Sequence, residues 1–304
     1  MFKKELCSIL TFYAVSPIHA GSGTAVATVD LPIQRERHTG WPHIQASEVK
    51  GALRSHFRNF CDETNTIDNN TIKVINLIFG SDEQDGWDKN KENLPGSISV
   101  SDAKLLAFPM RSNITPFIWV TCPAIIKRLK TDLSFVNIEQ INGEFDISDD
   151  DKALVIIGSN DLFKTGDKII LEDAIVNIEN NEKKEIGFIN NNFPEIDKLL
   201  LVSDDTFDYC VSFCTEIQTQ IKIDTGTGIT KDGSLRYQEL LPADSALYSV
   251  VYYSKGGLND MQAENIKKFV EGYVKDFIQI GGDETLGRGI CKANWYSKPN
   301  NAGE

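Results

Sequence analysis

No stretch of this 304-residue sequence approaches the ~20 consecutive apolar residues that a membrane-spanning helix needs, so no membrane segment is expected. Cysteine is sparse. Cys7, Cys61, Cys122, Cys210, Cys214 and Cys291 show no disulfide-framework spacing, and a reducing cytoplasmic setting is the simpler reading. Only Cys210 and Cys214 lie close together, with no second cysteine pair and no histidine near them in sequence. Free, mostly buried thiols are therefore expected before a zinc site. Positive charge is in deficit as well: Lys plus Arg number 31 against 44 Asp plus Glu, a net charge of −13. The chain-wide basic balance that flags many nucleic-acid binders is missing. No internal repeat recurs at a fixed period, which argues against a solenoid. With 41% hydrophobic and 25% charged residues the chain sits near the globular average, which excludes a disordered polymer or a collagen-like fibre.

The charge that is present is unevenly spread. Pro17 to Phe60 holds five Lys/Arg against three Asp/Glu, together with all four histidines, so this segment is basic within an acidic chain. A polyanion responds to local field more than to net charge. Lys3 and Lys4 followed by Leu6 to Val15 resemble the start of a secretory signal, but Glu5, Ser8, Thr11 and Tyr13 interrupt the run. It reads better as a strand buried on both faces.

Glu48 to Cys61 carries Val49, Ala52, Leu53, His56, Phe57 and Phe60 on one helical face, with Ser47 as N-cap candidate. Lys50, Arg54 and Arg58 recur every four residues and form a basic stripe off that face, either a solvated surface or an anion site. Met261 to Gln279 repeats the apolar spacing, with Asn259 or Asp260 as possible caps, and stops at Gly281-Gly282. Strands are expected at Leu6–Val15, near Ser97–Ser101, at Ala246–Tyr253 and at Ile290–Tyr296. Two β-α-β units in series predict an α+β fold with a ferredoxin-like core. That core comprises residues 1–61, 96–128 and 246–304, interrupted by insertions at 62–95 and 129–214. Asp62 to Asn93 reads as a polar, acidic loop region around Asp82, Glu83, Asp85 and Asp88. Alternation at Ile217–Ile223 and Leu235–Leu241 predicts a long hairpin over 215–245 with a flexible tip.

Polar residues are densest between Ser16 and Gly51. Gly21-Ser22-Gly23 follows the first strand and allows a backbone to approach phosphate closely. Asp30 stands in an apolar frame, followed by Gln34-Arg35-Glu36-Arg37-His38. A carboxylate beside cations suits metal or acid–base work on a phosphodiester, or simply a loop salt bridge. The loop 281–289 is rich in glycine and presents Arg288. It lacks the closing GK[ST] of a Walker loop and follows a helix instead of a strand, so it is no dinucleotide fingerprint. A phosphate-backbone clamp and a tight structural connector both remain open for it.

Three segments together carry a family resemblance: Ser16-Pro17-Ile18-His19-Ala20-Gly21-Ser22-Gly23-Thr24, Val29-Asp30-Leu31-Pro32-Ile33-Gln34-Arg35-Glu36-Arg37-His38-Thr39-Gly40 and Lys50-Gly51-Ala52-Leu53-Arg54. Matches continue at Gly96–Ala103, Phe108–Ser112, Trp119–Pro123, Tyr237–Pro242 and the carboxyl-terminal glycine loop. The chain resembles the RAMP superfamily of CRISPR proteins, and within it the backbone subunits of the type III-B (Cmr) effector.

The resemblance implies a palm of ferredoxin-like fold that grips a CRISPR guide RNA. It also implies a thumb hairpin that wedges into the guide–target duplex, copies of the chain in a helical filament, and other Cmr effector subunits as partners. It implies cleavage of complementary target RNA at regular intervals, dependent on a divalent metal, Mg²⁺ or Mn²⁺. Asp30 corresponds to the family's catalytic aspartate and would hold that metal. His19 is expected to position substrate or share proton transfer, with Glu239 and Tyr237 as weaker catalytic candidates. RNA contacts are expected from Gly21, Ser22, Gly23, Arg35, Arg37, Ser47, Lys50, Arg54, Arg111, Gly282 and Arg288. Arg236 and Gln238 stand where relatives often carry an aromatic and an acid. A non-catalytic RNA-binding scaffold is the alternative, though a scaffold has no need of a carboxylate close to a phosphodiester that repels it. A stand-alone guide-processing ribonuclease would lean on histidine chemistry and lack the Pro32–Gly40 stretch.

Overall fold

The apolar run after Lys4 becomes a strand buried at every position, Cys7–Ala14, in a computed structural model of the chain. The structure describes residues 3–23, 29–62, 64–67, 70–137, 141–147, 149–159, 162–180, 185–255 and 262–297. The chain runs β1 (Cys7–Ala14), β2 (His43–Ile44), α1 (Ala46–Phe60), β3 (Thr64–Ile67), β4 (Asn70–Lys73), α2 (Val74–Phe79), β5 (Ile98–Val100), β6 (Ala103–Arg111), β7 (Phe117–Thr121) and α3 (Pro123–Val136). It continues through β8 (Lys152–Ile157), β9 (Lys168–Leu171), β10 (Ala174–Asn180), α4 (Gly187–Asn192), β11 (Leu199–Val202) and α5 (Asp204–Phe213). It then passes β12 (Glu216–Gln220), β13 (Arg236–Leu240), β14 (Ala246–Tyr253), α6 (Ala263–Tyr273), β15 (Asp276–Gln279) and β16 (Ile290–Tyr296).

One mixed sheet takes up most of these strands in the order β15-β16-β1-β14-β6-β7-β11-β8-β10-β9. The pairs β16–β1, β1–β14 and β14–β6 are antiparallel, while β7–β11 and β8–β10 are parallel. Both faces of β1 are covered because helices lie on each side of the sheet. In β14, Tyr248 and Tyr253 have opposite parity and so point to opposite faces. The Tyr248 hydroxyl donates to Asp132 in α3 at 2.8 Å. On the other face Ser8 donates to Glu271 in α6 at 2.5 Å. Phe57 in α1 meets Phe269 and Tyr273 of α6 at ring separations of 6.1 and 5.5 Å, so α1 and α6 pack together.

Several expectations need correction. The second strong helix ends at Tyr273, and residues 276–279 form β15 instead of continuing it. Asp276 takes a φ of 66° and turns the chain, and the four residues then pair with β16, whose edge would otherwise be bare. The proposed caps Asn259 and Asp260 lie outside the described residues. Ser47 is not the N-cap of α1. The helix starts at Ala46, whose N–H is satisfied from afar by Asp102 Oδ1 at 2.7 Å. Residue 129, expected to begin an insertion, lies inside α3, whose Leu129, Leu133 and Val136 are buried. The stretch that follows extends the same sheet through β8 to β11. Asp62 to Asn93 is no mere polar loop, since all six residues of α2 are buried. None of the six cysteines forms a disulfide; Cys214 is half-buried and the others buried, and burial pushes the Cys210 and Cys291 thiols up to about 12. Among the described residues no helix is long and apolar enough to cross a membrane.

Candidate active site and nucleic-acid interface

Residues 215–241 fold into the two-stranded hairpin β12–β13, with Gln218 opposite Gln238. The outer edge of β13 collects residues from the start of the chain. Successive residues of a strand send their N–H and C=O groups to alternate edges, so Tyr237, Glu239 and Leu241 share this one. Tyr237 N–H donates to Asp30 Oδ2 at 2.8 Å, and Leu31 N–H donates to the Tyr237 carbonyl at 3.1 Å. Glu239 N–H returns a bond to the Leu31 carbonyl at 3.0 Å. His19 Nδ1 lies 2.9 Å from the Glu239 carbonyl, and Ile18 and Leu241 exchange both backbone bonds at 2.9 Å. Asp30 and His19 are thereby anchored two strand residues apart, roughly 7 Å along the strand.

These contacts define what each group can do. Asp30 is exposed, with one carboxylate oxygen held by the Tyr237 amide and the other without a protein partner among the described residues. A carbonyl only accepts, so His19 Nδ1 carries the proton and, in the neutral ring, Nε2 keeps its lone pair. Two glycines keep room for that ring and its backbone. A Cβ on Gly21 would stand 2.9 Å from His19 Nε2. Gly281, at a φ of +92°, would bring a Cβ to 2.7 Å from the His19 carbonyl, which instead accepts from Gly282 N–H at 2.9 Å. Gly282 therefore holds the histidine loop through its amide.

The other expected residues divide into two sets. Glu239, a weaker catalytic candidate by sequence, is buried and held by three donors. Its carboxylate accepts from Arg35 at 2.6 Å, Thr215 Oγ1 at 2.8 Å and Ile33 N–H at 3.0 Å. Arg35 also donates to the Gly40 and Val211 carbonyls at 2.9 and 3.0 Å, so it braces this loop from within. Arg54 and Arg58 form no open basic stripe either. Both close on Asp85, whose side chain is 2% exposed, at 2.6 and 2.5 Å. Burial works against the Asp85 charge, yet the Arg58 and Arg54 hydrogen bonds win and hold its carboxyl below the usual range. Lys50 is half-buried and donates to the Ile98 carbonyl at 3.3 Å; burial first, then Arg54, lowers its proton affinity. At the amino end of α1, Asp102 already engages the Ala46 amide. Arg111 is 77% exposed and pairs with Glu172 at 3.0 Å. Arg288 donates to Gln218, and Ser22 bonds back to the Pro32 carbonyl at 3.0 Å through its amide. Gly23 and Arg37 are exposed, and Tyr237 presents a side chain 41% exposed beside Asp30.

Gln34 and Glu48 had no assigned role in the sequence reading. The buried Gln34 amide donates to the Gly21 carbonyl at 3.1 Å and to Glu48 at 2.6 Å, and accepts from Gln45 N–H at 2.7 Å. It locks the glycine turn to the start of α1. Burial raises the Glu48 carboxyl even against the Gln34 bond and the His19 charge. Nothing in the local sequence marks this, because Gln34 gains its meaning from partners eleven to fourteen residues away.

Among the described residues no three His, Cys, Asp or Glu side chains come close enough to cage a cation. Asp30 fits a hard cation as a single ligand, which leaves the other positions to phosphate oxygens and water.

A family model described as the RAMP superfamily matches residues 11–292. The CRISPR system Cmr endoribonuclease Cmr4 of Pyrococcus furiosus is 32% identical over 97% of this chain and 97% of its own length. The CRISPR system CMR subunit Cmr4 of Saccharolobus solfataricus is 25% identical over 95% and 99%. Among solved structures, oligomeric Cmr4 from Pyrococcus furiosus superposes with a TM-score of 0.69 at 26% identity, covering 97% of this chain and 99% of that one. A chain of the type III-B Cmr-beta complex bound to cognate target RNA matches in fold with a TM-score of 0.71 at 23% identity, over 95% and 97%.

Proposed function

The chain belongs to the RAMP superfamily, and from that premise we propose that it is a guide-RNA-binding backbone subunit of a type III-B CRISPR effector that cleaves complementary target RNA. The observation that carries the reading is the outer edge of β13, which gathers the Asp30 carboxylate and the His19 ring onto one hairpin. The similarity to a Cmr endoribonuclease over nearly the whole chain supports it. So does the strand order β16-β1-β14-β6 with α1 and α6 packed together, an arrangement that suits a ferredoxin-like palm. In this reading the hairpin β12–β13 is the thumb, and the strands β8 to β11 enlarge the palm as a lateral extension. Copies of the chain line up along the guide, in company with other Cmr subunits.

The chain's own groups suggest the division of labour. The free Asp30 oxygen would face the scissile phosphate. His19 Nε2 would accept the proton of the target's own 2′-hydroxyl, which attacks the adjacent phosphorus as the bond to the 5′-oxygen breaks and that oxygen takes a proton from water. The products are then a cyclic phosphate and a 5′-hydroxyl. Glu239, through Arg35 and Ile33, holds the loop that bears Asp30 and leaves the chemistry to others. A divalent cation, Mg²⁺ or Mn²⁺, would be held jointly by Asp30 and phosphate oxygens, where it neutralises charge on the phosphate.

Asp30→Asn keeps the shape and the Tyr237 bond while removing the charge. In the reconstituted effector, guide loading and target binding should survive while cutting of target RNA falls by orders of magnitude. Cutting at the wild-type rate would transfer the chemistry to another subunit and leave this chain a scaffold.

A further inference from the structure

The turn after Pro32 presents its charges in two directions. Arg35 points inward to Glu239. Glu36 points the other way, to α3, where both guanidinium nitrogens of Arg128 reach its carboxylate at 2.6 and 2.9 Å. Thr39 Oγ1 adds a bond to the same carboxylate at 2.7 Å. The Arg128 guanidinium lies 5.6 Å from the centroid of the Trp41 ring, and that buried ring meets Phe207 edge-on at 5.2 Å. Burial opposes the Glu36 charge, but Arg128 and Thr39 prevail and hold its carboxyl below the usual carboxylate range. The backbone closes over this brace, with Glu36 N–H bonded to the Trp41 carbonyl at 2.9 Å and Gly40 N–H to the Glu36 carbonyl at 2.8 Å. Arg37 and His38 are left at the exposed tip.

We propose that Arg128 is a positioning residue that acts through Glu36 to present Arg37 to an RNA phosphate in one fixed orientation. The inference rests on the RNA-binding reading above and adds a residue from the middle of the chain to it. A turn bonded only within itself would be ordered by the ligand, at a cost to affinity. Two parallel N–H···O bonds fix a plane as well as a distance, which a lysine or an apolar contact cannot do. Tightening the fold alone does not call for this arrangement, because apolar replacements of a partly buried ion pair are often neutral for stability.

The test uses the reconstituted effector subunit with guide RNA and reads the slope of log affinity against log salt for Arg37→Ala, Arg128→Ala and their double variant. Arg37→Ala should flatten the slope by about 0.7, the value for one phosphate contact on a single strand. Arg128→Ala should reproduce part of that change and add nothing in the Arg37→Ala background. If Arg128→Ala does not fold, the exchange of Glu36→Arg with Arg128→Glu keeps the pair and should restore the wild-type slope. Additive losses, an unchanged slope in a folded Arg128→Ala, or a folded exchange variant with the Arg37→Ala slope would each overturn the proposal. Failure of the RNA reading itself looks different: wild-type protein would bind no guide RNA at all.

Discussion

Asp85 ties α1 to the segment that follows α2. Its side chain is 2% exposed and takes both Arg54 and Arg58, while its backbone carbonyl accepts from Asn76 at 3.2 Å. Asp85→Asn leaves two guanidinium groups facing a neutral amide and should cost about 3–5 kcal/mol at neutral pH. The folded carboxyl titrates below its unfolded value, so this stability is present above the ordinary aspartate pKa and disappears as pH falls through the folded one. Urea melts of both proteins should therefore differ widely at pH 7 and draw together only as the pH falls below the ordinary aspartate range. Arg54→Ala should likewise lower stability before it lowers RNA affinity. The four-residue spacing of the arginines was legible in the sequence. Their partner was not, because a carboxylate 27 to 31 residues downstream becomes a neighbour only when α2 folds. Asp30 was legible through its motif, but the engagement of Glu239 with Arg35 depends on a contact across 204 residues.

Among the elements, the hairpin β12–β13 is anchored at its base and self-contained at its tip. At the base Arg288 reaches Gln218, Gln238 reaches Asp283 at 2.6 Å, and the Asp30 and His19 loops line the outer edge. At the tip Asp224 caps its own turn, accepting from Thr227 N–H at 2.9 Å and Gly226 N–H at 3.0 Å. Deleting residues 225–232 should leave the melting temperature unchanged, since loop tips tolerate change. In the effector it should alter the positions at which target RNA is cut. Identical cut sites with identical efficiency would remove the tip from the duplex. Period-two alternation made this hairpin readable, and the apolar stripes made α1 and the first turns of α6 readable. The same stripe misled beyond Tyr273, where Val274 and Phe277 continue the helical spacing. The need of β16 for an edge partner overrode local preference there.

At the scale of the molecule, the sheet is one continuous body from β15 to β9. Core and extension share strands instead of meeting at a linker, which explains why an insertion boundary at residue 129 had no physical counterpart. Strands β8 to β11 are short, and nothing local in the sequence marks their mixed parallel and antiparallel order, which is set by which strands they meet. The placement of β1 has a consequence for how the chain comes into being. This strand is made first among those of the sheet, yet its two partners, β14 and β16, are made late. On the ribosome a strand apolar on both faces must wait, both edges open, until more than two hundred further residues have emerged. Contacts of such long range slow folding and leave unpaired edges exposed to other nascent chains. A chain stopped after Gly289 lacks β16 and leaves one edge of β1 permanently bare. It should partition into the insoluble fraction on expression, whereas the full chain stays in solution, and equal solubility of the two would show that β14 alone is enough to shelter the first strand.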